Sequence, residues 1–478
     1  MYDVAIIGAG IVGAMVARTL SKYSLRICIL DKENDVAMGA TKANSAIVHA
    51  GFDAKCGSLK AKLNVEGSKM MKKITQELGV KYINNGSLVI GFDQSDREHI
   101  NELLQRGRDN GVEGLQILEK DDIKKIEPNI SDDVICALYA PSGAIVCPYE
   151  LTVAAIGNAM DNGAELRRNF CVTDIRKDGE IFTVFSHSDS IRARFVVNAA
   201  GVFSDSIAAM IGDNSFSITA RRGEYILLDK ECGKLVSHTI FRTPTKMGKG
   251  ILVSPTVDGN LLTGPTSEDT VDKNDNSTTA EGSARIIKEA KENVPTIPYN
   301  KTITSFCGIR ATGSTGELII NSPVEGFVNA AGIESPGLSA SPAIALMVRD
   351  ILFENGLQLI AKSKYNPIRE PMHAFREAGI EEKNRIIKQD KSFGRIICRC
   401  EGVTEGEILK AIRTNPRPTD LDGVKRRTRA QMGRCQGGFC TPYIIKLLST
   451  ENGISPMDVT KSGGKSVVIT GKTKEGQI

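Results

Sequence analysis

The sequence predicts a protein of mixed α/β and α+β class, with a βαβ-type region interleaved with an antiparallel-sheet domain and a small cysteine-rich domain near the C-terminal end. Three observations predict this arrangement. A short apolar strand, a glycine turn and a helical pattern open the chain, strand signals crowd residues 220–265, and four cysteines lie within residues 398–440. Apolar runs of strand length beside helical periodicity are typical of βαβ units.

The composition is that of a globular protein with several domains. A chain of 478 residues is too long for one ordinary core, and its 41% hydrophobic and 25% charged residues are usual values. The net charge of +4 gives no general attraction to nucleic acid or anionic lipid. We expect no transmembrane helix, because no run of 18 apolar residues is present, and no signal peptide, because the N-terminus lacks a basic stretch. The odd number of cysteines, eleven, favours a reducing cytoplasm.

The elements are predicted from apolar periodicity and turn residues. The first βαβ unit has strands at residues 4–7 and 25–30 around a helix that ends near residue 22. Further helices are predicted at residues 64–78, 97–109, 149–162 and 339–355. Further strands are predicted within residues 79–93, 168–175, 180–186, 195–199, 220–265 and 326–332. Residues 362–393 have the composition of a linker with some helix, and the tail from residue 451 is expected to fray.

A glycine motif joins the first strand to the first helix. Gly8, Gly10 and Gly13 match G-x-G-x-x-G, whose glycines permit a tight turn, close approach to a pyrophosphate and close packing of helix on strand. The helix N-terminus then offers free N–H groups to phosphates. Asp31, followed by Lys32, ends the second strand, where a carboxylate accepts hydrogen bonds from ribose hydroxyls. The motif predicts a Rossmann-like dinucleotide site without deciding between NAD and FAD, and a ligand-free glycine turn is the structural alternative.

Later segments resemble the flavin-contacting motifs of the D-amino-acid-oxidase-like superfamily, in its glycerol-3-phosphate-dehydrogenase-like branch. The segments are residues 41–51 (TKANSAIVHAG), 197–201 (VNAAG), 308–310 (GIR) and 331–338 (AGIESPGL). The resemblance covers about residues 1–360 and implies FAD bound in an extended form between the dinucleotide domain and a substrate domain. Beyond the glycines, Asp31 and Lys32, the cofactor contacts it implies are Thr41, Asn44, Ser45, Ala200, Gly201, Gly332, Ser335, Gly337 and Leu338.

Two residues of these motifs are candidates for the chemistry. The guanidinium of Arg310 suits bidentate binding of a carboxylate or phosphate, and in the family the arginine at this point of the motif binds the anionic group of the substrate. The imidazole of His49 suits removal of a hydroxyl proton. Lys246 and Lys249 would add positive charge for the substrate. The structural alternatives are an ion-paired surface arginine, a packed histidine that moves no proton, and solvated lysines.

The clustered cysteines form a C-x-C pair and a C-x4-C pair. Cys398, Cys400, Cys435 and Cys440 could ligate a 2Fe–2S cluster or zinc, and metal-free thiols are the third alternative. The segment 394–450 resembles the bacterioferritin-associated-ferredoxin-like 2Fe–2S domain, which implies the cluster, although the second pair of that module is usually C-x2-C. Basic residues at positions 425, 426, 427, 429 and 434 would stabilise a reduced cluster. A nucleic-acid partner is not expected, because few aromatic side chains for base stacking lie nearby.

The resemblances divide the chain into domains. An FAD-dependent oxidoreductase region covers residues 1–365, and a linker covers residues 366–393. Within the region, the FAD-binding segments are about 1–78, 145–215 and 305–360, and the substrate-domain segments are about 79–144 and 216–304. The 2Fe–2S domain covers residues 394–450, and a C-terminal tail covers residues 451–478.

The two modules together predict a dehydrogenase that passes electrons from a small anionic secondary alcohol through FAD to the cluster. The resemblance to anaerobic-type glycerol-3-phosphate dehydrogenases favours sn-glycerol 3-phosphate, oxidised to dihydroxyacetone phosphate. Asp53 stands where those enzymes carry an arginine, and residues 57–67 look more like L-2-hydroxyglutarate oxidases, so a 2-hydroxy acid is the alternative substrate. A flavin- and cluster-bearing redox sensor or electron-transfer protein is the alternative of another class.

The electron acceptor is expected to be another protein or a quinone-linked subunit. The one visible nucleotide fingerprint is assigned to FAD, which leaves none for NAD. We therefore expect a cytoplasmic enzyme. Peripheral association with a membrane through a partner protein is compatible with the sequence.

Overall fold

A computed structural model describes residues 1–243, 250–471 and 473 of the chain. Its strands are, in chain order, β1 (Tyr2–Ile7), β2 (Ile27–Leu30), β3 (Ile47–Val48), β4 (Tyr82–Ile83), β5 (Ser87–Gly91), β6 (Gln116–Glu119), β7 (Cys136–Ala140), β8 (Ala144–Val146), β9 (Glu165–Arg167), β10 (Asp174–Asp178), β11 (Ile181–Phe185), β12 (Ser190–Asn198), β13 (Ile218–Leu228), β14 (Thr239–Arg242), β15 (Leu252–Pro255), β16 (Leu261–Gly264), β17 (Glu268–Thr270), β18 (Thr302–Gly313), β19 (Ile319–Val324), β20 (Phe327–Ala331), β21 (Ile396–Cys398) and β22 (Val403–Thr404).

Helices lie between and after these strands along the chain. They are α1 (Ile11–Leu20), α2 (Leu59–Leu78), α3 (Gln94–Asp109), α4 (Lys120–Ile126), α5 (Pro148–Asp161), α6 (Ser204–Ala209), α7 (Ala280–Asn293), α8 (Gly337–Glu354), α9 (Ala374–Glu377), α10 (Ile380–Gln389), α11 (Glu405–Arg413), α12 (Leu421–Thr428) and α13 (Thr441–Asn452). No helix in the described part of the chain is long and apolar enough to span a membrane.

The first sheet is the dinucleotide-type sheet that the glycine motif predicts. Its strands run in the order β10-β11-β12-β1-β2-β9, and β20 joins β12 and carries β19. The strands β12, β1, β2 and β9 are parallel, as expected for a βαβ architecture. Helices α1, α2, α5 and α8 contribute to the hydrophobic core that covers one face. Helices α2 and α8 cross closely at Gly67, where a Cβ atom would lie 2.2 Å from the carbonyl oxygen of Ser339.

The second sheet is the expected sheet of a second domain, and it is mixed rather than purely antiparallel. Its order is β17-β13-β16-β15-β14-β5-β7-β6, with β18 paired along β13. Strand β14 runs parallel to β5, in a register that pairs Thr239 with Ser87. Helices α4 and α7 contribute to the hydrophobic core on this sheet, with Ile123 and Ile286 fully buried. A small third sheet, β3-β8-β4, contains the strand that leads to His49.

Two predicted boundaries are corrected by the structure. Residues 305–313, assigned from sequence to the FAD-binding segments, belong to the second sheet, because β18 pairs with β13 over its whole length. The strand predicted at residues 168–175 is wrong over most of its length. Strand β9 ends at Arg167 and β10 begins at Asp174, and between them Asn169 has a φ of +57°, which interrupts an extended run.

The cysteine-rich domain is a small helical unit with its own core. Helices α11, α12 and α13 surround a hairpin of β21 and β22, and Val403, Ile408 and Leu448 are fully buried. The predicted linker contains the short helices α9 and α10. The described part of the tail is packed where fraying was expected: Val459 is fully buried, and the carbonyl oxygen of Thr460 accepts a hydrogen bond from the amide of Leu421.

Candidate active site and thiol pairs

The glycine turn has the geometry that its sequence predicts. Gly8 has a φ of +107°, and a Cβ atom there would lie 2.3 Å from the carbonyl oxygen of Ala199, so only glycine fits. At Gly13, a Cβ atom would lie 1.9 Å from the oxygen of Gly8, which explains the close packing of α1 on β1. At Gly10, a Cβ atom would meet only the Oγ1 atom of Thr41, at 3.3 Å. Backbone atoms therefore pack tightly against Gly8 and Gly13, whereas the space beside Gly10 is open except for the hydroxyl of Thr41.

Thr41 and Asn44 hold the segment that faces this turn. The Oγ1 atom of Thr41 accepts a 3.0 Å hydrogen bond from the amide of Ile11, in the first turn of α1. Asn44 donates to the carbonyl oxygens of Ala40 and Thr41, and its Oδ1 atom accepts from the amide of Ala46 at 2.8 Å. Thr41 thus lies at the helix N-terminus, whereas the side chain of Asn44 stabilises its own loop.

Asp31 closes the turn from the end of β2. Its Oδ2 atom accepts from the amide of Ala9 at 2.7 Å, and its Oδ1 atom accepts from the amide of Glu33 at 2.9 Å. Burial raises the pKa of Asp31 to about 6, against the opposing effect of these two hydrogen bonds. The neighbouring Lys32 is exposed, with its Nζ atom 5.2 Å from the ring centroid of Phe203, so it lies at the rim of the turn.

Several of the motif segments are in direct contact with one another or with the second sheet. Gly308 of β18 packs so closely on the segment after Thr41 that a Cβ atom would lie 1.8 Å from the oxygen of Ala43. The Oγ atom of Ser45 lies 3.1 Å from the hydroxyl of Tyr225, whose ring stacks on Phe306. Ala200 and Gly201 follow β12, and Gly201 has a φ of +59°. Sequence motifs about 265 residues apart along the chain are therefore packed against each other.

His49 lies at the end of β3, in contact with the loop before α8. Its backbone amide donates to the Oγ atom of Ser339 at 2.7 Å, and its Nε2 atom is 3.3 Å from the Oγ atom of Ser335. The imidazole also lies 5.9 Å, between centroids, from the ring of Phe241. Both serines belong to the SPGLS stretch, and only Ser335 was selected from sequence. These contacts orient the imidazole with respect to the last motif.

Arg310 lies on β18, and one nitrogen of its guanidinium is hydrogen-bonded to backbone carbonyl oxygens. Its Nη2 atom donates to the carbonyl oxygens of Thr266 and Arg222, at 2.6 and 3.2 Å. Its Nε atom is buried and has no hydrogen-bond partner among the described residues. An unpaired donor on a fixed guanidinium is an expected feature of an anion-binding site. Lys246 and Lys249, the other predicted substrate contacts, lie outside the described residues.

The last motif is held by an acidic residue that the sequence did not reveal. Glu334 accepts from the hydroxyl of Thr312 at 2.8 Å and pairs with the Nζ atom of Lys60 at 3.2 Å. It lies between Gly332, which has a φ of +60°, and the start of α8 at Gly337 and Leu338. Lys60 thus reaches the loop that follows β20, although Asp53 occupies the position where an arginine was expected. Glu334 stands inside the segment 331–338, but no role was predicted for it, and Thr312 lies two residues after the GIR segment.

The four cysteines of the C-terminal domain form two pairs. The Sγ atoms of Cys400 and Cys435 are 3.4 Å apart. A hydrogen bond from Cys440 lowers the pKa of Cys398, so these two thiols are also close to each other. In the described part of the chain, no three His, Cys, Asp or Glu side chains are grouped as ligands of a single metal ion. Two thiol pairs suit a cluster in which each of two irons takes two thiolates better than one tetrahedral zinc ion.

Comparison with protein families identifies both modules. Residues 3–351 match the model of the FAD dependent oxidoreductase family. The chain belongs to this family. Residues 396–450 match the BFD-like [2Fe-2S] binding domain, so the oxidoreductase region is followed by an iron–sulfur domain. The family assignment confirms the predicted fold class and both predicted cofactors, FAD and a 2Fe–2S cluster.

Individual relatives extend the likeness to the whole chain. A glycerol 3-phosphate dehydrogenase of Caloramator mitchellensis is 47% identical over 476 residues, which cover 99% of each protein. The structure of the dithionite-reduced L-alpha-glycerophosphate oxidase of Mycoplasma pneumoniae with FAD bound is 30% identical, with a TM-score of 0.74, over 77% of this chain and 98% of that one. A mitochondrial L-2-hydroxyglutarate dehydrogenase of Pongo abelii is 33% identical over 55% of this chain and 67% of its own length.

The residues of the glycine turn fit FAD, the cofactor of the family. The open side of Gly10 faces the N-terminus of α1, where backbone N–H groups and the helix dipole favour phosphate. Asp31 lies at the end of the neighbouring strand. Arg310 and His49 are linked through short contacts: Thr312, two residues after Arg310 on β18, binds Glu334, and the next residue, Ser335, lies 3.3 Å from the imidazole of His49.

The iron–sulfur domain is attached to the oxidoreductase region by ion pairs, and those of Asp35 are buried. Asp35, four residues after Asp31, binds the guanidinium groups of Arg426 and Arg427 at 2.6 and 2.8 Å. Arg429 contacts Asp258 at 2.6 Å, and Arg434 contacts Asp229 and Glu231 at 3.2 and 3.1 Å. The arginines that crowd this domain in the sequence therefore bind carboxylates across the domain boundary.

Proposed function

We propose that this protein is an FAD-dependent sn-glycerol 3-phosphate dehydrogenase that forms dihydroxyacetone phosphate and passes electrons through its 2Fe–2S domain. The observation that supports this most strongly is the 47% identity to a glycerol 3-phosphate dehydrogenase along the whole chain, both modules included. The contacts of Thr312 with Glu334 and of Ser335 with His49, which connect the segments of Arg310 and His49, support it as well. FAD, when bound, supplies the acceptor for the hydride that leaves the substrate carbon.

We propose that His49 removes the proton of the substrate hydroxyl. The Oγ atom of Ser335 lies 3.3 Å from Nε2 and can donate to the neutral imidazole, which keeps a basic nitrogen directed at this loop. The substrate hydroxyl would replace Ser335 as the donor, and its proton would pass to Nε2. The bond from the His49 amide to Ser339 fixes the backbone, so that the ring keeps its distance to the substrate.

We propose that Arg310 binds the anionic group of the substrate. Two carbonyl oxygens hold its Nη2 atom, so the guanidinium plane is fixed before substrate arrives. This arrangement lowers the entropy lost on binding and leaves Nε as a donor in need of an acceptor. Lys246 and Lys249 stay candidates for a second contact to the phosphate.

We propose the same residues as contacts of FAD and as ligands of the cluster that the sequence indicated. FAD would be held by Gly8, Gly10, Gly13, Asp31, Thr41, Ser45, Ala200, Gly201, Gly332, Ser335, Gly337 and Leu338, with Lys32 at the rim and Asn44 acting through its loop. The cluster would be ligated by Cys398, Cys400, Cys435 and Cys440. Electrons would pass to an acceptor protein or a quinone-linked subunit. We propose that the protein is located in the cytoplasm and contacts a membrane through that partner.

An anaerobic stopped-flow panel tests the proposed reaction. The protein with both cofactors is mixed with sn-glycerol 3-phosphate, L-2-hydroxyglutarate, lactate or hydroxyproline, and flavin absorbance is followed. Glycerol 3-phosphate should bleach the flavin fastest. His49→Asn should slow the bleaching by about 10²- to 10⁴-fold, the usual contribution of a general base, whereas His187→Asn on an exposed turn should not change it.

A second candidate substrate is L-2-hydroxyglutarate or a similar 2-hydroxy acid. The identity of 33% to an L-2-hydroxyglutarate dehydrogenase favours it, as does the aspartate at position 53. Fast bleaching by L-2-hydroxyglutarate with none by glycerol 3-phosphate would replace the first proposal with this one.

A further inference from the structure

The thiol pairs of the iron–sulfur domain differ in their exposure. Cys398 and Cys440 are each 1% exposed and belong to the domain core, whereas Cys400 is exposed and Cys435 is half-buried. A cluster held by these thiols, as the proposed function requires, therefore has one edge toward solvent. Electron transfer between proteins requires a short distance, so this edge is where a partner must come close.

A groove with a volume of about 840 Å³ begins at this edge. Cys435 and the following glycines form one wall, α13 forms another, and Val468 of the tail closes it. Beside it, Phe439 is 76% exposed and Tyr443 is 49% exposed. Large exposed aromatic side chains grouped at one place are typical of protein interaction surfaces. We call the surface formed by Arg399, Cys400, Phe439, Tyr443 and Lys446, with this groove, the cluster face.

The charge of the cluster face is positive. Residues 394–450 contain eleven Lys and Arg against five Asp and Glu. Arg426, Arg427, Arg429 and Arg434 are used by ion pairs to the oxidoreductase region.

Two further basic residues of the domain lie on the cluster face itself. Arg399 stands between the two cysteines of the C-x-C pair, and Lys446 follows Tyr443 by one helical turn on α13. Neither makes an ion pair with any described residue, and none of the described groove residues is Asp or Glu.

We propose that the cluster face is the docking site of an acidic one-electron carrier protein. An exposed cluster edge, flanking aromatics and unpaired cations together match a small, transient redox interface, in which charge directs the encounter and apolar contact brings the centres close. The proposal rests on the proposed function, since it needs electrons to reach the cluster. Each substrate molecule gives up two electrons and two protons, so two carrier molecules are reduced for each dihydroxyacetone phosphate formed.

The test uses the full chain with both cofactors and soluble cytochrome b5 as the acidic probe. Binding of oxidised cytochrome b5 is measured by calorimetry without substrate, and its reduction is followed optically with glycerol 3-phosphate. Lys446→Glu should lower the reduction rate by about tenfold at low ionic strength, and Phe439→Ser should weaken binding by a similar factor. Lys69→Glu, an exposed lysine on α2, is the matched control and should change neither. Raising the salt concentration should slow cytochrome b5 reduction, because screening weakens the attraction.

The remaining outcomes separate this proposal from the proposed function. Basic cytochrome c should be reduced more slowly than cytochrome b5 at low salt, and a neutral dye should be reduced equally by all variants. Equal rates for Lys446→Glu and Lys69→Glu, or reduction of a quinone in lipid vesicles but not of cytochrome b5, would overturn the docking proposal. If glycerol 3-phosphate fails to bleach the flavin, the proposed function fails, and the binding measurement still tests the cluster face.

Discussion

The ion pairs between Asp35 and the two arginines of α12 should be a main determinant of domain attachment. The side chains of Asp35 and Arg427 are each 1% exposed and that of Arg426 is 7% exposed. Both guanidinium groups of the arginines donate to the one carboxylate, in bonds between 2.6 and 3.2 Å. Asp35→Ala would leave two buried guanidinium groups without a counter-charge, which costs about 3–5 kcal/mol in comparable cases.

The assay is denaturation at pH 7, followed by flavin fluorescence and by cluster absorbance. We expect Asp35→Ala to lower the free energy of unfolding seen by the cluster signal by about 3–5 kcal/mol, and to increase release of FAD, because Asp35 continues the loop that begins at Asp31. Arg413→Ala removes an ion pair to Glu451 in which the arginine is 59% exposed, and should change stability by less than about 1 kcal/mol. An Asp35→Ala protein as stable as Arg413→Ala would refute the reasoning.

The pH dependence follows from the direction of the pKa shift. Burial alone would raise the pKa of Asp35, but Arg427 and Arg426 hold it well below its usual range. A carboxyl group with a lowered pKa stabilises the folded state above its unfolded pKa of about 3.9, and this contribution is lost as pH falls through the folded value. The difference in stability between the natural protein and Asp35→Asn should be constant from neutral pH to about pH 5 and should shrink below about pH 4.

Further predictions concern the cofactors and the substrate anion. Gly10→Val should give protein without FAD, because the branched side chain fills the open side of the turn next to Thr41; normal flavin content would contradict the assignment. The purified protein should contain about two irons and two sulfides, and Cys435→Ser or Cys440→Ser should abolish the cluster absorbance while substrate still reduces the flavin. Stoichiometric zinc without labile sulfide would exclude the cluster. Arg310→Lys should lower kcat/KM for glycerol 3-phosphate by about 10- to 150-fold, the equivalent of about 1.5–3 kcal/mol, and steady-state kinetics would show whether it does.

Local patterns were predictable from the sequence, and long-range partners were not. The glycine motif determines its own turn, since Gly8 and Gly13 allow backbone contacts that no other residue permits. Helix α8 was also predicted from its periodicity, and it begins two residues before its predicted start. The packing of His49 against Ser335 and Ser339 joins positions almost 290 residues apart, which periodicity does not encode.

The same limit applies to the charged residues. A cluster of basic residues was evident around position 427, but its carboxylate partners at positions 35, 229 and 258 depend on how two domains meet. The pairing of β18 with β13 in the second sheet could not be predicted for the same reason. The sequence of a strand within a flavin motif does not indicate which other strand it pairs with.

The pairing of Asp35 with α12 has a consequence for biosynthesis. The residues that neutralise Asp35 are 391 and 392 positions later in the chain. During synthesis, the nucleotide-binding unit near the N-terminus therefore emerges with a loop carboxylate whose partners, Arg426 and Arg427, are made only when nearly nine-tenths of the polypeptide is complete. A chain released early from the ribosome would lack both arginines, and we expect its N-terminal loop to be more accessible to proteases than in the complete protein.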